Sequence, residues 1–156
     1  MPPSIQVVVF TLDEQFYALK LAAVERVVRA MEVTRLPDAP TVILGILNVQ
    51  GQIIPVVNLR RRFRLPEREI DLGDQIIIAH TKTRTVALVV DAVTQVSAIA
   101  EQDMVTGEEI APGLVYVQGV AKLADDLILI HDLDLFLSTE EEKTLDEAME
   151  RRAADG

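Results

Sequence analysis

Few residues in this chain have the types and spacing to do chemistry. There are two histidines in 156 residues, His80 and His131. The adjacent pair His131-Asp132 invites comparison with a metal-dependent hydrolase, in which neighbouring His and Asp ligate the ion and further His and Asp come from surrounding helices. Both histidines fall in or beside expected strands, so a strand-end histidine is the competing reading, and no metal or other cofactor is expected. Glu108-Glu109 and Glu140-Glu141-Glu142 could supply carboxylate pairs for acid and base work, yet a loop and a helix start suit acidic residues without any catalysis. Arg60-Arg61-Arg62 with Arg64 is the one basic cluster and the sole support for a nucleic-acid-binding or ligand-binding β-barrel. No phosphate loop, nucleophile elbow or dinucleotide fingerprint is present.

Composition narrows the classes further. A net charge of −10 opposes a phosphate backbone as partner, and the absence of cysteine removes disulfides and thiol catalysis and suits a reducing compartment. Without a long apolar run or a signal peptide, the expected location is the cytoplasm. Hydrophobic residues make up 49% and aromatics only 4%, so the interior must be built from Val, Ile and Leu.

The elements that hold these residues read mainly as strands. Ile5 to Leu12 and Phe16 to Leu21 form a hairpin around Asp13-Glu14-Gln15, and Leu21 to Met31 reads as a helical turn sliding into a strand that ends near Leu36. Thr41 to Leu44 is expected to be a short helix closed by Gly45. Gly45 to Leu59 is a second hairpin turning at Gln50-Gly51-Gln52, in which Pro55 lacks a ladder donor and calls for an edge strand or a bulge. Asn58 to Phe63 suits one helical turn. Ser138 and Thr139, each followed three residues later by Glu, start a mostly exposed terminal helix with the stripe Leu145, Ala148, Met149.

The chain is also duplicated. Val7 to Val27 falls on Ile76 to Val96 at a constant offset of 69 residues, and Gly45 to Leu59 falls on Gly119 to Leu133 at an offset of 74. The difference lies in the loop 101–113. Four or five short strands per copy point to two small barrels or a paired sandwich over residues 1–138, with 139–156 as helix and tail.

The segments V-V-V-F-T-L-D-E-Q-F-Y-A-L (7–19), V-T-R-L-P-D-A-P (33–40), G-I-L-N-V-Q-G-Q-I-I-P-V-V-N-L-R (45–60), A-L-V-V-D-A-V-T-Q-V (87–96) and L-I-L-I-H-D-L (127–133) resemble, in order and spacing, a CheW-type chemotaxis coupling protein. The resemblance implies two five-stranded β-barrels packed side by side and an adaptor without catalysis, linking a CheA-type histidine kinase to the cytoplasmic tips of chemoreceptors. It places a receptor groove at Val24, Arg26, Val27, Gln50, Ile76, Val93 and Val96. The kinase regulatory domain would meet Val33, Thr34, Leu44, Gly45 and Ile53. Two departures stand out. The family's turn Asn-Leu-Arg-Gly is here Asn48-Val49-Gln50-Gly51, and the family's acidic partner falls on Arg26, with Glu25 one place earlier. The usual ion pair is gone, and a donation from Arg26 to Gln50 would reverse the sense of the contact. A variant coupler for a particular receptor is the reading this suggests.

Overall fold

The computed structural model describes residues 3–106, 117–123 and 126–155. Its strands are β1 (Ser4–Leu12), β2 (Gln15–Lys20), β3 (Val24–Arg29), β4 (Ile43–Val49), β5 (Gln52–Val57), β6 (Gln75–His80), β7 (Thr85–Val90), β8 (Ala92–Ala100), β9 (Met104–Thr106), β10 (Val117–Leu123) and β11 (Asp126–His131). One helical turn, α1 (Leu59–Arg62), follows β5, and α2 (Thr139–Asp155) ends the described chain. Glu108-Glu109, and most of the turn expected at Ala124-Asp125-Asp126, lie outside the described residues.

The strands form a six-stranded sheet in the order β8-β1-β2-β11-β10-β9 and a five-stranded sheet in the order β3-β6-β7-β5-β4. Each curls over its own apolar core. Val7, Val9, Ala18, Ile128 and Ile130 fill the first, and Leu47, Ile54, Val56, Ile76 and Ile78 fill the second. The opposite faces meet in a central core that holds Phe10, Leu12, Leu19, Ile77, Ala79 and Leu88. Burial on both faces is why the strands read as unbroken apolar runs such as Val7-Val8-Val9-Phe10 and Ile76-Ile77-Ile78-Ala79 rather than as alternating ones. Among the described residues no ladder joins the two end strands of either sheet, so the expected five-stranded barrels are open, and one gains the three-residue β9.

The duplication is present, but the halves do not fold separately. β3, from the first half, pairs with β6, and β8, from the second half, pairs with β1. Each sheet therefore joins the first hairpin of one half to the later strands of the other. Irregularities repeat as well: the β3 register skips Glu25 and the β8 register skips Thr94, while the β4 and β10 registers skip Leu44 and Gln118. Parallel pairs close both sheets, Val56 with Ala87 in one and Ile130 with Ala18 in the other.

Several local expectations change. Residues 43–49 are strand instead of the end of a helix, because Ile43 and Ile46 are wanted in the central core and the chain makes only a turn, Ile43 N–H to the Pro40 carbonyl at 2.9 Å. Pro55 lies on an inner strand, not an edge. It is tolerated because it lies just outside the short parallel overlap with β7 at Val56-Val57 and next to the β4–β5 bulge. The free edge is on β4, where Thr34 forms an isolated bridge to Ile46. The strand expected to reach Leu36 ends at Arg29.

The terminal helix begins with a reciprocal capping box, Glu141 N–H to Ser138 Oγ at 3.1 Å and Ser138 N–H to Glu141 Oε1 at 2.8 Å. Its stripe docks on the central core, where Leu145 and Ala148 are buried. Arg62 to Glu141 at 2.5 Å and Arg84 to Glu142 at 2.8 Å fasten its first turns.

Equivalent glycines face unequal neighbours. A Cβ at Gly45 would fall on the Thr34 carbonyl oxygen and lie 2.8 Å from Val33 Cγ1. At Gly119 the nearest atoms are the flexible Met104 Cε at 2.7 Å and Val105 O at 3.3 Å. Gly45→Ala should lower the urea-unfolding free energy by at least about 2 kcal/mol and Gly119→Ala by less than about 1 kcal/mol, since only the first displaces backbone. Equal losses would contradict the close approach.

Candidate functional site

The basic cluster turns inward to carboxylates. Arg60 donates to Asp13 Oδ1 at 2.6 Å and Asp91 Oδ1 at 2.7 Å, and Arg68 reaches both Asp91 and Asp74 at 2.8 Å. Asp91 Oδ2 also accepts the Asp13 backbone N–H at 2.9 Å. This network ties the β1–β2 turn, the β7–β8 corner and the segment after α1 together. Burial works against the charge of Arg60, yet the hydrogen bonds to Asp13 and Asp91 hold its guanidinium protonated. With Arg61 on Glu67 and Arg62 on Glu141, only Arg64 of the cluster has no ion pair among the described residues. Among the described residues this cluster therefore presents no array of free cations to track phosphates.

His80 and His131 line one depression, together with Lys20, Lys82, Asp132 and Asp134. Both ring nitrogens of His80 and Nδ1 of His131 are engaged. His80 Nδ1 lies 3.0 Å from Thr85 Oγ1 and its Nε2 3.4 Å from Glu25. His131 is buried, with its ring 4.4 Å from Phe63, 5.4 Å from Tyr17 and 5.8 Å from Phe136, and its Nδ1–H donates to the Leu129 carbonyl at 3.1 Å. The duplication accounts for the dyad: His131-Asp132 occupies the place of Val57-Asn58 in the other copy. Val57 is a core residue, and Asn58 caps α1 through Oδ1 to Arg61 N–H at 3.1 Å. Asp132 likewise accepts from Asp134 N–H at 3.0 Å to cap the turn Leu133–Leu135. Among the described residues no group of three or more His, Asp or Glu is disposed to hold a metal ion.

What remains is surface. β3 and β8 are the outer strands of their respective sheets, and their equivalent residues Val27 and Val96 are 37% and 57% exposed. Val24 and Val93, also equivalent, are half-buried against the central core. Ile76 is fully buried in the second-sheet core, so it supports such a surface from behind and cannot line it. A second cluster forms on the β4 edge. Thr34 and Ile46 exchange backbone hydrogen bonds at 2.9 and 2.7 Å, Val33 packs over Gly45, and the bulge turns Leu44 outward to 38% exposure. Ile53 sits on the neighbouring strand, paired with Asn48 and half-buried.

A family model described as a CheW-like domain matches residues 6–141. The chain belongs to the CheW-like family. A chemotaxis protein CheW of Treponema pallidum (strain Nichols) is 27% identical over 142 residues, spanning 87% of this chain and 84% of that protein. One from Thermotoga maritima is 33% identical over 99 residues, 64% of this chain and 65% of that protein. The crystal structure of the scaffolding protein TtCheW from Thermoanaerobacter tengcongensis superposes with a TM-score of 0.80 at 33% identity, covering 90% of this chain and 96% of that one.

Within this CheW-like fold, no hydrogen bond joins Gln50 and Arg26 among the described residues. Gln50 stands at the exposed tip of the β4–β5 hairpin with φ 52°, followed by Gly51 at φ 87°. Asn48 Oδ1 steadies that turn by accepting the Gly51 N–H at 2.9 Å. Arg26 is on β3 opposite Ile78, and its Nε is buried without a hydrogen-bond partner. Periodicity pointed to a strand between Leu21 and Leu36, but not to the exchange of β3 and β8, because a strand's pattern shows which face is apolar and not which neighbour covers it.

Burial lowers the His131 pKa from 6.5 to about 4. The unfolded chain binds this proton first, so stability is complete above pH 6.5 and is lost as pH falls towards 4. Between pH 7 and pH 5 this group alone should remove about 2 kcal/mol from the unfolding free energy. Urea titrations at both values should show that difference shrink by this amount in His131→Phe; an unchanged pH dependence would contradict a buried neutral imidazole.

Proposed function

We propose that this chain is a non-catalytic chemotaxis scaffold that couples a CheA-type histidine kinase to chemoreceptor cytoplasmic tips. The observation that carries the reading is membership of the CheW-like family across residues 6–141, and its relatives, a chemotaxis protein and a scaffolding protein by name, point the same way. The receptor tip, a helical hairpin, would lie along the exposed apolar positions of β3 and β8, with Val27 and Val96 as contacts and Val24 and Val93 at the base. Shallow β-branched surface suits an amphipathic helix, which buries its apolar stripe without needing deep pockets. The kinase regulatory domain would meet the β4 edge at Val33, Thr34, Leu44, Gly45 and Ile53, where bulge and bridge leave Leu44 outward.

Engaged histidines and neutralised arginines also favour a binding role over chemistry. No helix of the described residues is long and apolar enough to cross a membrane, and the proposed place of action is the cytoplasmic side of receptor arrays. Loss of the family's charged pair at Gln50 and Arg26 would tune the chain to a particular receptor; pull-down of the parent and of Gln50→Arg/Arg26→Glu against the host's receptor tips tests that refinement, and equal binding of both forms to every tip would refute it.

Equilibrium binding to the kinase regulatory domain and to a receptor-tip fragment, singly and together, tests the proposal. Both should bind, and simultaneously. Leu44→Asp should weaken only the kinase and Val96→Asp only the receptor, each by tenfold or more, about 1.4 kcal/mol or above. Binding to neither partner would overturn the proposal.

A further inference from the structure

The duplication sets two equivalent positions side by side with different fillings. Arg26 follows the β3 bulge and sits opposite Ile78; Gln95 follows the β8 bulge and sits opposite Val9. Val9 belongs to the core of the first sheet and Ile78 to that of the second. In the second sheet the Arg26 side chain enters this region far enough to bury its Nε completely, while the residue as a whole remains partly exposed. A long aliphatic stem inside with a charged head reaching water is how such a side chain satisfies both environments.

In the first sheet Gln95 is shorter and exposed, and the same region is an open cavity of about 570 Å³. Phe16, half-buried, is the accessible part of its apolar wall, with Val9 and Ile128 buried behind, and Thr94, Gln95, Ser97 and Asp126 form its polar rim. Asp126 has no ion-pair partner among the described residues; its equivalent at the offset of 74 is the neutral Gln52. Among the described residues the outer edge of β8 carries no neighbouring strand, and Val96 on it is 57% exposed.

We propose that this cavity receives an arginine side chain of a partner protein, its stem over Phe16 and Ile128 and its guanidinium at Asp126, with the partner's backbone along the β8 edge. Three features point to that occupant. Arg26 shows what the equivalent space holds in the other half, the unpaired carboxylate supplies the complementary charge on a chain of net charge −10, and the free edge offers backbone hydrogen bonds that a protein segment can use and a free small molecule cannot. The volume leaves room for the residues flanking the arginine as well.

Amide chemical shifts of the full-length labelled chain, titrated with a capped extended peptide bearing one central arginine, test the site without kinase or receptor. Saturable shifts are expected at Phe16, Thr94, Gln95, Ser97 and Ile128, and the citrulline version of the peptide should bind about fivefold more weakly or worse. Asp126→Asn, on the surface, should weaken binding by up to about fivefold. Gln95→Arg should take the arginine's place from within, as Arg26 does in the other half, raising the thermal midpoint and abolishing the shifts. Equal binding of the citrulline peptide, shifts elsewhere on the molecule, or a destabilised Gln95→Arg that still binds would overturn the proposal. Butylguanidinium binding as tightly as the peptide would overturn the assignment to a protein partner.

Discussion

The reciprocal exchange of β3 and β8 is the constraint on which the rest of the molecule depends. Neither half of the chain can complete a sheet from its own strands: β1-β2 needs β8 and β11, and β6-β7 needs β3 and β5. Apolar surface on the two hairpins is therefore covered only when both halves are present, and the central core forms as their shared product. An unpaired hairpin would leave two apolar faces and a backbone edge in water, a state with little to stabilise it. The exchange also sets the outer surface, since β3 and β8 become edge strands whose exposed valines are equivalent by duplication and not by coincidence.

The charged groups serve this same architecture. Asp13, Arg60, Asp91, Arg68 and Asp74 form a continuous network across the β1–β2 turn, the β7–β8 corner and the segment after α1, tying a turn of the first sheet to the corner where the chain passes from the second sheet to the first. Arg60 is mostly shielded from solvent, so the contribution of its bonds exceeds that of an exposed pair, although desolvation offsets much of it. Arg62 and Arg84 do the same for α2. Placing so many of the cations in structure leaves a scaffold whose surfaces differ mainly in shape and apolar exposure.

Much of this was legible in the residues. The apolar runs marked the strands, the offsets of 69 and 74 marked the duplication, and Ser138 with Glu141 marked the start of α2. Pro55 called for an edge strand or a bulge, and it lies on an inner strand next to the β4–β5 bulge, where the β7 ladder begins one residue later. Thr41 to Leu44 misled because Pro and Gly bracket short helices and bulged strands alike. Ile76 looked like Val24 in sequence, yet pleating turns it into the second-sheet core while its neighbour Ile77 faces the centre. Whether an apolar strand residue is core or surface depends on the second layer, which a one-dimensional pattern does not contain. The open space beside Gln95 was beyond the sequence too, since it depends on which strands the folded registers bring together.

Coupling requires two partners to use separate surfaces of one body, and hydrogen exchange of the full chain in the presence of each partner measures this most directly. The account predicts that the kinase regulatory domain protects amides at Val33–Thr34 and along β4, that the receptor tip protects β3 and β8, and that the footprints do not overlap. A single shared footprint, or protection confined to the depression around His80 and His131, would contradict it.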